Sequence, residues 1–246
     1  MLRDFFVRNP KVAVAFSGGV DSAYLLYEAK KYSAQVIAYY VKTPFQPQFE
    51  YDDAVVLARQ LEVPLQVIAL DVLSDNRISA NPQNRCYFCK KRIFTAIRQQ
   101  AEADGFSVIL DGTNASDDAS DRPGMQALEE LGILSPLREY GLTKQEIRAH
   151  SKAAGLFTHD KPAYACLATR FPAGMPITAE KISVVERSEA LLKSLGFSDF
   201  RVRFLGDSAR IQIPEHQIPL LMQHRQDILT VFKKDYNAVL LDLEVR

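Results

Sequence analysis

The stretch SGGVDS, residues 17–22, places two glycines between two serines shortly after an apolar run that ends at Ala15. A glycine-rich turn between a strand and a helix lets backbone N–H groups turn inward, and the helix N-terminus adds positive partial charge. The hydroxyls of Ser17 and Ser22 can donate to phosphate oxygens, while Asp21 can hold a divalent cation or cap the helix. SGGVDS therefore predicts a phosphate-binding loop, although a capped turn with sterically required glycines would explain SGG alone.

This loop contains no lysine, whereas a Walker loop uses one to bridge the β and γ phosphates during γ transfer. SGGVDS resembles instead the PP-loop of the ATP pyrophosphatases, which split ATP between the α and β phosphates. The resemblance implies that the loop holds the departing pyrophosphate. A carboxylate or a carbonyl oxygen attacks the α-phosphorus meanwhile and becomes adenylated.

The three cysteines are the second feature that could do chemistry. Cys86 and Cys89 stand three residues apart at the start of a predicted helix and therefore share one face, and an odd total argues against a disulfide framework. Cys166 lies in a predicted loop between Lys161 and Arg170, whose positive charges would stabilise a thiolate. A closed zinc site needs four ligands, whereas three cysteines and one open position suit a [4Fe–4S] cluster. Buried structural thiols are the alternative.

Two arginines alternate on a predicted strand, so Arg201 and Arg203 project to the same face. A pair of guanidinium groups suits a bidentate grip on a phosphate or a carboxylate. A solvated strand face would explain the same pattern.

Asn114 belongs to DGTN at the carboxyl end of a predicted strand, which is where nucleotides bind in open α/β sheets. We therefore expect Asn114 to contact a nucleotide. The acidic residues that follow it, Asp117, Asp118 and Asp121, are explained by a solvated loop.

Apolar runs of strand length alternate with segments of helical periodicity over the first two thirds of the chain. This alternation predicts an α/β fold with a doubly wound parallel sheet, whose strand-to-helix loops share one edge. The strand runs are Lys11–Phe16, Gln35–Lys42, Leu65–Leu70 and Ser107–Asp111, and the helical runs are Ser22–Lys31, Tyr51–Leu61 and Tyr87–Ala103.

The pattern changes at about Pro172, and the rest of the chain predicts a small α+β domain. We therefore divide the chain into residues 1–171 and residues 172–246. The predicted elements of the second part are a helix over Ile177–Leu195, strands over Arg201–Leu205 and Ala209–Ile213, a helix over Leu220–Lys233 and a strand over Ala238–Val245.

Composition excludes some classes of function. The chain of 246 residues carries 30 basic and 30 acidic residues, which argues against a protein that coats nucleic acid, because such surfaces need an excess of positive charge. The polar N-terminus and the absence of a membrane-length apolar run predict a cytoplasmic protein with no membrane partner.

Three longer stretches carry a more specific resemblance, which runs over nearly the whole chain. DGTNASDDASDRPGMQALEELGILSPL, GLTKQEIR and KPAYACLATRFPAGMPIT are similar to the ATP-dependent sacrificial sulfur transferases of the LarE type, from nickel-pincer nucleotide biosynthesis. The resemblance implies that ATP, with Mg²⁺, adenylates a carboxylate of pyridinium-3,5-biscarboxylate mononucleotide. Sulfur then converts that carboxylate to a thiocarboxylate.

The same resemblance makes Cys166 the residue that handles sulfur. In one branch of the family this cysteine gives up its own sulfur and becomes dehydroalanine. In another branch three cysteines hold an iron–sulfur cluster that carries an extra sulfide. Because Cys86 and Cys89 are present, the sequence favours the cluster branch.

The resemblance and the loop geometry together define the expected site. Cys166 and Asp21 are the expected catalytic residues, and residues 172–246 are expected to bind substrate and to form a homo-oligomer. The residues expected to bind nucleotide are Ala15, Ser17, Gly18, Gly19, Asp21, Ser22, Val41, Gly112 and Asn114. Those expected to bind substrate are Arg170, Glu189, Arg201 and Arg203.

Two other functions stay open. A PP-loop tRNA thiolase adenylates a base carbonyl and also combines SGGxDS with cysteines, but it needs a basic tRNA surface, and the net charge here is zero. A non-catalytic module could use the loop to sense ATP or AMP. Release of pyrophosphate on addition of a carboxylate substrate separates the enzyme of the LarE type from both alternatives.

Overall fold

The structure is a computed structural model that describes residues 2–33, 35–117 and 122–244. Asp118, Asp121 and Val245 lie outside the described residues. The contacts within the chain define two compact units. The first comprises Met1–Val72 and Asn84–Lys161, and the second comprises Leu73–Gln83 and Pro162–Arg246.

The first unit is built on a parallel sheet. Its strands are β1 (Lys11–Ala15), β2 (Gln35–Lys42), β3 (Leu65–Ala69) and β4 (Ile109–Leu110), in the spatial order β3-β2-β1-β4. Its helices are α1 (Leu2–Arg8), α2 (Val20–Tyr32), α3 (Gln48–Gln60), α5 (Arg85–Ala103), α6 (Arg122–Glu130), α7 (Pro136–Glu139) and α8 (Lys144–Ala153). The helix α4 (Asn76–Ser79) belongs to the second unit.

Both faces of this sheet are covered at its centre, because successive residues of β1 alternate between two cores. Val12 and Val14 of β1 pack in one core with Leu25 of α2. Ala13 packs in the other core with Phe94 and Ile97 of α5. The predicted doubly wound α/β fold is confirmed.

The strand order creates a switch point between β1 and β4. The chain leaves β1 through α2 toward β2, while β4 pairs with the other side of β1. Loops that leave neighbouring strands in opposite directions open a crevice at the carboxyl ends, where ligands bind in folds of this kind. The loops that follow β1 and β4 are SGGVDS and DGTN.

The second unit is the predicted α+β module, with a three-stranded sheet in the order β5-β6-β7. Its elements after α4 are α9 (Ala179–Ser194), β5 (Arg201–Leu205), β6 (Ser208–Gln212), α10 (Ile218–Gln223), α11 (Arg225–Phe232) and β7 (Val239–Leu241). The strands β5 and β6 are antiparallel, and β7 lies parallel to β6. The single helix predicted over Leu220–Lys233 is wrong, because His224, with ψ 15°, separates two helices.

The segment Leu73–Gln83 is bonded to the second unit, which the sequence division into residues 1–171 and 172–246 did not include. Asn81 Nδ2 donates to Pro172 O at 2.8 Å, and Asn81 O accepts from Gly174 N at 2.7 Å. Ser79 O accepts from Ile177 N at 2.8 Å. By contacts, the second unit resumes at Pro162 rather than at residue 172.

No helix among the described residues is both long enough and apolar enough to span a membrane.

Candidate functional site

The loop SGGVDS joins β1 to α2 and has a backbone that requires glycine. Gly18 adopts a positive φ of 75°, which is costly for any residue with a side chain. A Cβ atom on Gly18 would also lie 3.1 Å from Glu50 O and 3.1 Å from Ala54 Cβ of α3. Gly18 is therefore required both by its backbone conformation and by the lack of room for a side chain.

The two serines of the loop bond to each other and to the loop backbone. Ser17 Oγ lies 3.1 Å from Ser22 Oγ, and Ser22 Oγ donates to Gly19 O at 3.1 Å. Gly19 N donates to Ser17 Oγ at 3.4 Å, and α2 begins at the next residue. These bonds hold the loop in shape at the positive end of a 13-residue helix, which is a site suited to anions.

The loop after β4 touches the first turn of α2. A Cβ atom on Gly112 would lie only 2.9 Å from Ser22 N, so a larger residue would collide with that backbone. The neighbouring Asp111 is buried and accepts hydrogen bonds from Thr113 Oγ1 and Ser135 Oγ, both at 2.5 Å. Burial raises the pKa of Asp111, and the two hydroxyls oppose this effect. The structure therefore brings the loops SGGVDS and DGTN together.

Asn114 holds an unsatisfied donor in this crevice. The residue is fully buried, and its Oδ1 accepts from Ser116 N at 2.8 Å. Its Nδ2 has no hydrogen-bond partner among the described residues. A buried donor without a partner costs about 1–3 kcal/mol, so a bound ligand with an acceptor would be favoured there.

Asp21 presents a carboxylate that is only half satisfied. Its Oδ2 pairs with Lys144 Nζ, whereas the buried Oδ1 has no hydrogen-bond partner among the described residues. Burial raises the pKa of Asp21, and the hydrogen bond from Lys144 opposes that rise. An unpartnered carboxylate oxygen beside a glycine-rich loop at a helix N-terminus has the chemistry that Mg²⁺ prefers in a ligand.

Lys144 supplies the cation that the loop itself lacks, and the motif GLTKQEIR explains its position. Thr143 and Glu146 form a capping box at the start of α8, with Thr143 N donating to Glu146 Oε2 at 2.8 Å. The box makes Lys144 the first residue of the helix, and its Nζ contacts Asp21 across 123 residues of sequence.

A second cation also lies at the loop. Lys161 Nζ pairs with Asp53 Oδ2 at 2.7 Å and is 3.5 Å from Gly18 O. Arg148 of α8 donates to His159 O and to Lys161 O, both at 2.7 Å. The segment that ends at Lys161 is thereby fixed beside the loop.

Ala15 and Val41 lie near the carboxyl ends of two neighbouring strands, as the predicted nucleotide site requires. Ala15 pairs with Tyr39 in the ladder between β1 and β2, and Val41 pairs with Ile68 of β3. The Val41 side chain is buried in the core that contains Tyr39. The nucleotide-binding roles of both residues stay predictions.

Cys86 and Cys89 lie in the first two turns of α5, where they are half-buried. Arg85 Nη2 lies 3.6 Å from Cys86 Sγ. Cys166, in the second unit, is also half-buried and precedes the short helix Leu167–Arg170. None of the three forms a disulfide.

Three cysteine thiols are the right donor type for a [4Fe–4S] cluster. However, no group of three His, Cys, Asp or Glu side chains among the described residues is arranged to hold a metal ion. Cys86 and Cys89 belong to the first unit, and Cys166 belongs to the second. The cluster stays a prediction.

Arg170 and Glu189, both predicted to bind substrate, form a buried pair. Arg170 Nε donates to Glu189 Oε1 at 2.7 Å, and Nη2 donates to Oε2 at 3.1 Å. The Arg170 side chain is 0% exposed and that of Glu189 is 5% exposed. Glu189 Oε1 accepts a further bond from Val202 N of β5 at 2.8 Å.

The predicted substrate arginines all bond to the backbone around Cys166. Arg170 Nη1 donates to Ala165 O at 3.1 Å, and Arg201 Nη2 donates to Ala163 O at 2.5 Å. Arg203 Nη1 donates to Thr169 O. Arg201 is buried and Arg203 is half-buried. The three guanidinium groups therefore hold the loop that carries the thiol, and their contact with a substrate stays a prediction.

Comparison with known proteins decides the family. No protein-family model matches the chain. The chain is 36% identical over 210 residues to pyridinium-3,5-bisthiocarboxylic acid mononucleotide synthase of Lactiplantibacillus plantarum, covering 85% of this chain and 76% of that protein. The chain belongs to the family of this synthase. It is also 36% identical over 247 residues to an uncharacterised protein of Synechocystis sp., covering 99% of this chain and 92% of that protein.

A weaker similarity extends to tRNA-modifying enzymes. The chain is 28% identical over 189 residues to the tRNA-specific 2-thiouridylase MnmA of Pseudothermotoga lettingae, which covers 61% of this chain and 54% of that protein. This similarity supports the PP-loop ATP pyrophosphatase superfamily predicted from SGGVDS. Membership of the three-cysteine branch of the synthase family stays a prediction.

The sequence alone does not indicate a role at this site for three of its cations, namely Lys144, Arg148 and Lys161. The motif GLTKQEIR contains a signal for two of them, because it places Lys144 and Arg148 four residues apart on one helix face. The sequence indicates Lys161 only as a positive charge near Cys166. Its contacts with Asp53 and Gly18 depend on the fold.

Proposed function

We propose that this chain is an ATP-dependent sulfur transferase that adenylates a carboxylate of pyridinium-3,5-biscarboxylate mononucleotide and converts it to a thiocarboxylate. The observation that carries the proposal is the crevice between SGGVDS and DGTN. Two buried polar atoms there, Asp21 Oδ1 and Asn114 Nδ2, have no partner among the described residues. Asp21 Oδ1 can bind a cation, and Asn114 Nδ2 can donate a hydrogen bond to a nucleotide. Both atoms belong to a chain of this synthase family.

The first step transfers the adenylyl group. A carboxylate oxygen of the substrate attacks the α-phosphorus of ATP, the bond from that phosphorus to the bridging oxygen breaks, and pyrophosphate leaves. The N–H groups and hydroxyls of the SGGVDS loop bind the leaving pyrophosphate. Asp21 would hold Mg²⁺, which would neutralise phosphate charge. Lys144 adds a positive charge next to Asp21, where negative charge develops on the leaving group.

The second step brings sulfur to the activated carboxylate. In the sacrificial route the Cys166 thiolate attacks the acyl carbon and AMP leaves with the bonding electrons. Removal of the Cys166 α-proton then breaks the Cβ–S bond, which leaves a thiocarboxylate and a dehydroalanine. In the other route Cys86, Cys89 and Cys166 would hold a [4Fe–4S] cluster that supplies a separate sulfide.

The arginines differ in how they can serve a substrate anion. Arg203 is half-buried and can exchange one of its bonds for a phosphate or carboxylate oxygen. Arg170 and Arg201 are buried and bonded to protein groups. Glu189 already accepts several hydrogen bonds, so its predicted contact with substrate would have to displace one of them. We retain Arg203 as the first candidate for the substrate phosphate.

Thiolation of tRNA is the second candidate function. The similarity to tRNA-specific 2-thiouridylase favours it, but the matching region covers only 54% of that protein. Salt-sensitive binding of tRNA, with pyrophosphate released only when tRNA is present, would favour this candidate. A sensor module would bind ATP without releasing pyrophosphate. A homo-oligomer and a cytoplasmic location stay predictions.

The test is a product analysis with the full chain, purified without oxygen. ATP, Mg²⁺ and the dicarboxylate mononucleotide should yield AMP and pyrophosphate, and mass spectrometry should detect the thiocarboxylate. Asp21→Ala should abolish pyrophosphate release while leaving the fold intact, since Asp21 lies in the first turn of α2 and belongs to neither hydrophobic core. ADP as the main product would refute the proposed reaction.

A further inference from the structure

Tyr164 lies two residues before Cys166 and joins three charged groups of the second unit. Its ring centroid is 4.8 Å from Arg170 Cζ and 5.1 Å from Arg201 Cζ. Both distances are within the range of a cation–π interaction, which is stronger where water is excluded. Its hydroxyl donates to Glu189 Oε2.

The hydroxyl of Tyr164 completes the hydrogen bonding of Glu189. A carboxylate has about four lone-pair sites. In Glu189, Oε1 accepts from Arg170 Nε and Val202 N, and Oε2 accepts from Arg170 Nη2 and Tyr164 Oη. The four sites are filled by an arginine, a strand backbone and this tyrosine. Glu189 therefore links β5 to the loop that carries the thiol.

The backbone on either side of Tyr164 is held by the same two arginines. Arg201 Nη2 donates to Ala163 O, and Arg170 Nη1 donates to Ala165 O. After the thiol, Thr169 N donates to Cys166 O at 2.9 Å. The ring thus lies at the centre of a network that orders the chain up to Cys166.

We propose that Tyr164, acting through Glu189, Arg170 and Arg201, is a positioning residue that fixes the Cys166 thiol for sulfur transfer. The catalytic consequence rests on the proposed function, whereas the effect on the thiol itself does not. Removal of the hydroxyl leaves one lone pair of a buried carboxylate unfilled, and removal of the ring also takes away the aromatic face beside both guanidinium groups. The loop should then open more often and expose Cys166.

The experiment measures the rate at which iodoacetamide alkylates Cys166 in the full chain with Cys86→Ser and Cys89→Ser, so that only one thiol reacts. Tyr164→Leu should raise this rate about tenfold, and Tyr164→Phe, which keeps the ring, about threefold, as expected for a locally opened loop. Tyr236→Phe is the matched control. It removes a buried hydroxyl of the same unit that lies 3.4 Å from Ser188 Oγ, and it should change the rate by less than about twofold.

A second measurement separates positioning from general stability in the chain with all three cysteines. Tyr164→Phe should lower the single-turnover rate of thiocarboxylate formation about tenfold while the KM for ATP and the rate of pyrophosphate release stay unchanged. Should the parent chain release no pyrophosphate, the proposed function fails, and the alkylation rates still decide the role of Tyr164. Equal alkylation rates in the parent chain and in both Tyr164 variants would overturn the inference. An equal increase in Tyr236→Phe would overturn it as well.

Discussion

Lys144→Ala is the sharpest test of how this loop works without a lysine of its own. Lys144 Nζ is bonded to Asp21 Oδ2, beside the unpartnered Asp21 Oδ1 that we assign to Mg²⁺. If Lys144 stabilises negative charge on the leaving pyrophosphate, its removal costs the transition state more than the ground state. The rate of pyrophosphate release should then fall while substrate binding changes little.

The magnitude follows from the burial of the pair. The side chains of Lys144 and Asp21 are 34% and 21% exposed. Because water still reaches both groups, the ion pair contributes only about 0–1 kcal/mol to the stability of the fold. Loss of one preorganised charge at a reacting group lowers kcat by about 10²–10³-fold. Activity should therefore fall far more than stability, and the two measurements separate a catalytic role from a structural one.

The assay couples pyrophosphate release to a colorimetric phosphate readout at saturating ATP, with urea unfolding of each variant as the stability measurement. Lys152→Ala is the matched control, since Lys152 is an exposed lysine in the last turn of the same helix. Its rate should equal that of the parent chain. The reasoning fails if Lys144→Ala retains kcat to within about threefold, or if its loss of activity is matched by unfolding.

Four further results are expected. Gly112→Ala should abolish ATP binding measured by calorimetry, because its Cβ would lie 2.9 Å from Ser22 N, and intact binding would contradict the close approach of the two loops. Arg203→Ala should raise the KM for the mononucleotide about tenfold at constant KM for ATP, and an unchanged KM would remove its substrate role. Burial raises the pKa of Asp111 in the folded protein. The protonated carboxyl group therefore adds to the free energy of unfolding at a pH below its pKa in the unfolded chain. This contribution is lost as the pH rises through the pKa in the folded protein. Asp111→Asn should reduce the change in the free energy of unfolding between pH 4 and pH 8, measured by urea unfolding. The same pH dependence in the variant and in the parent chain would refute this expectation. The double variant Cys86→Ala, Cys89→Ala should lose iron and all turnover if a cluster operates, whereas one full turnover without iron would establish sacrifice of Cys166.

The α/β fold was predictable because its central strand β1 is buried on both faces. Val12 and Val14 pack in one core and Ala13 in the other, so β1 reads as a continuous apolar run bounded by polar residues. The predicted strand Ser107–Asp111 is longer than β4, whose register with β1 pairs Ile109 with Ala13 and Leu110 with Val14. The assignment of Leu73–Gln83 to the second unit was not predictable, because it depends on hydrogen bonds to residues about ninety positions away.

Some residues of the candidate site were predictable from the local sequence, whereas others depend on contacts between distant segments. SGGVDS and DGTN carry their own signals, since glycines at Gly18 and Gly112 are required by a positive φ and by a close approach of backbone. Nothing local to SGGVDS indicates Lys144, which reaches Asp21 only because α8 packs against α2. The roles of Arg170 and Glu189 were equally hidden, because residues 19 positions apart reveal no ion pair until α9 and the loop around Cys166 are in place.

The motif GLTKQEIR shows how one local feature can direct two cations to two other segments of the chain. Its capping box fixes where α8 begins, and from that point the helical repeat places Lys144 and Arg148 four residues apart on one face. Lys144 contacts Asp21, while Arg148 holds His159 and Lys161 through their carbonyl oxygens. A shift in the start of the helix by one residue would rotate both side chains by about 100° and remove both contacts together. The capping box therefore fixes the positions of both cations as well as the start of the helix. This explains why a threonine and a glutamate without any ligand-binding role belong to the same short motif as the two cations.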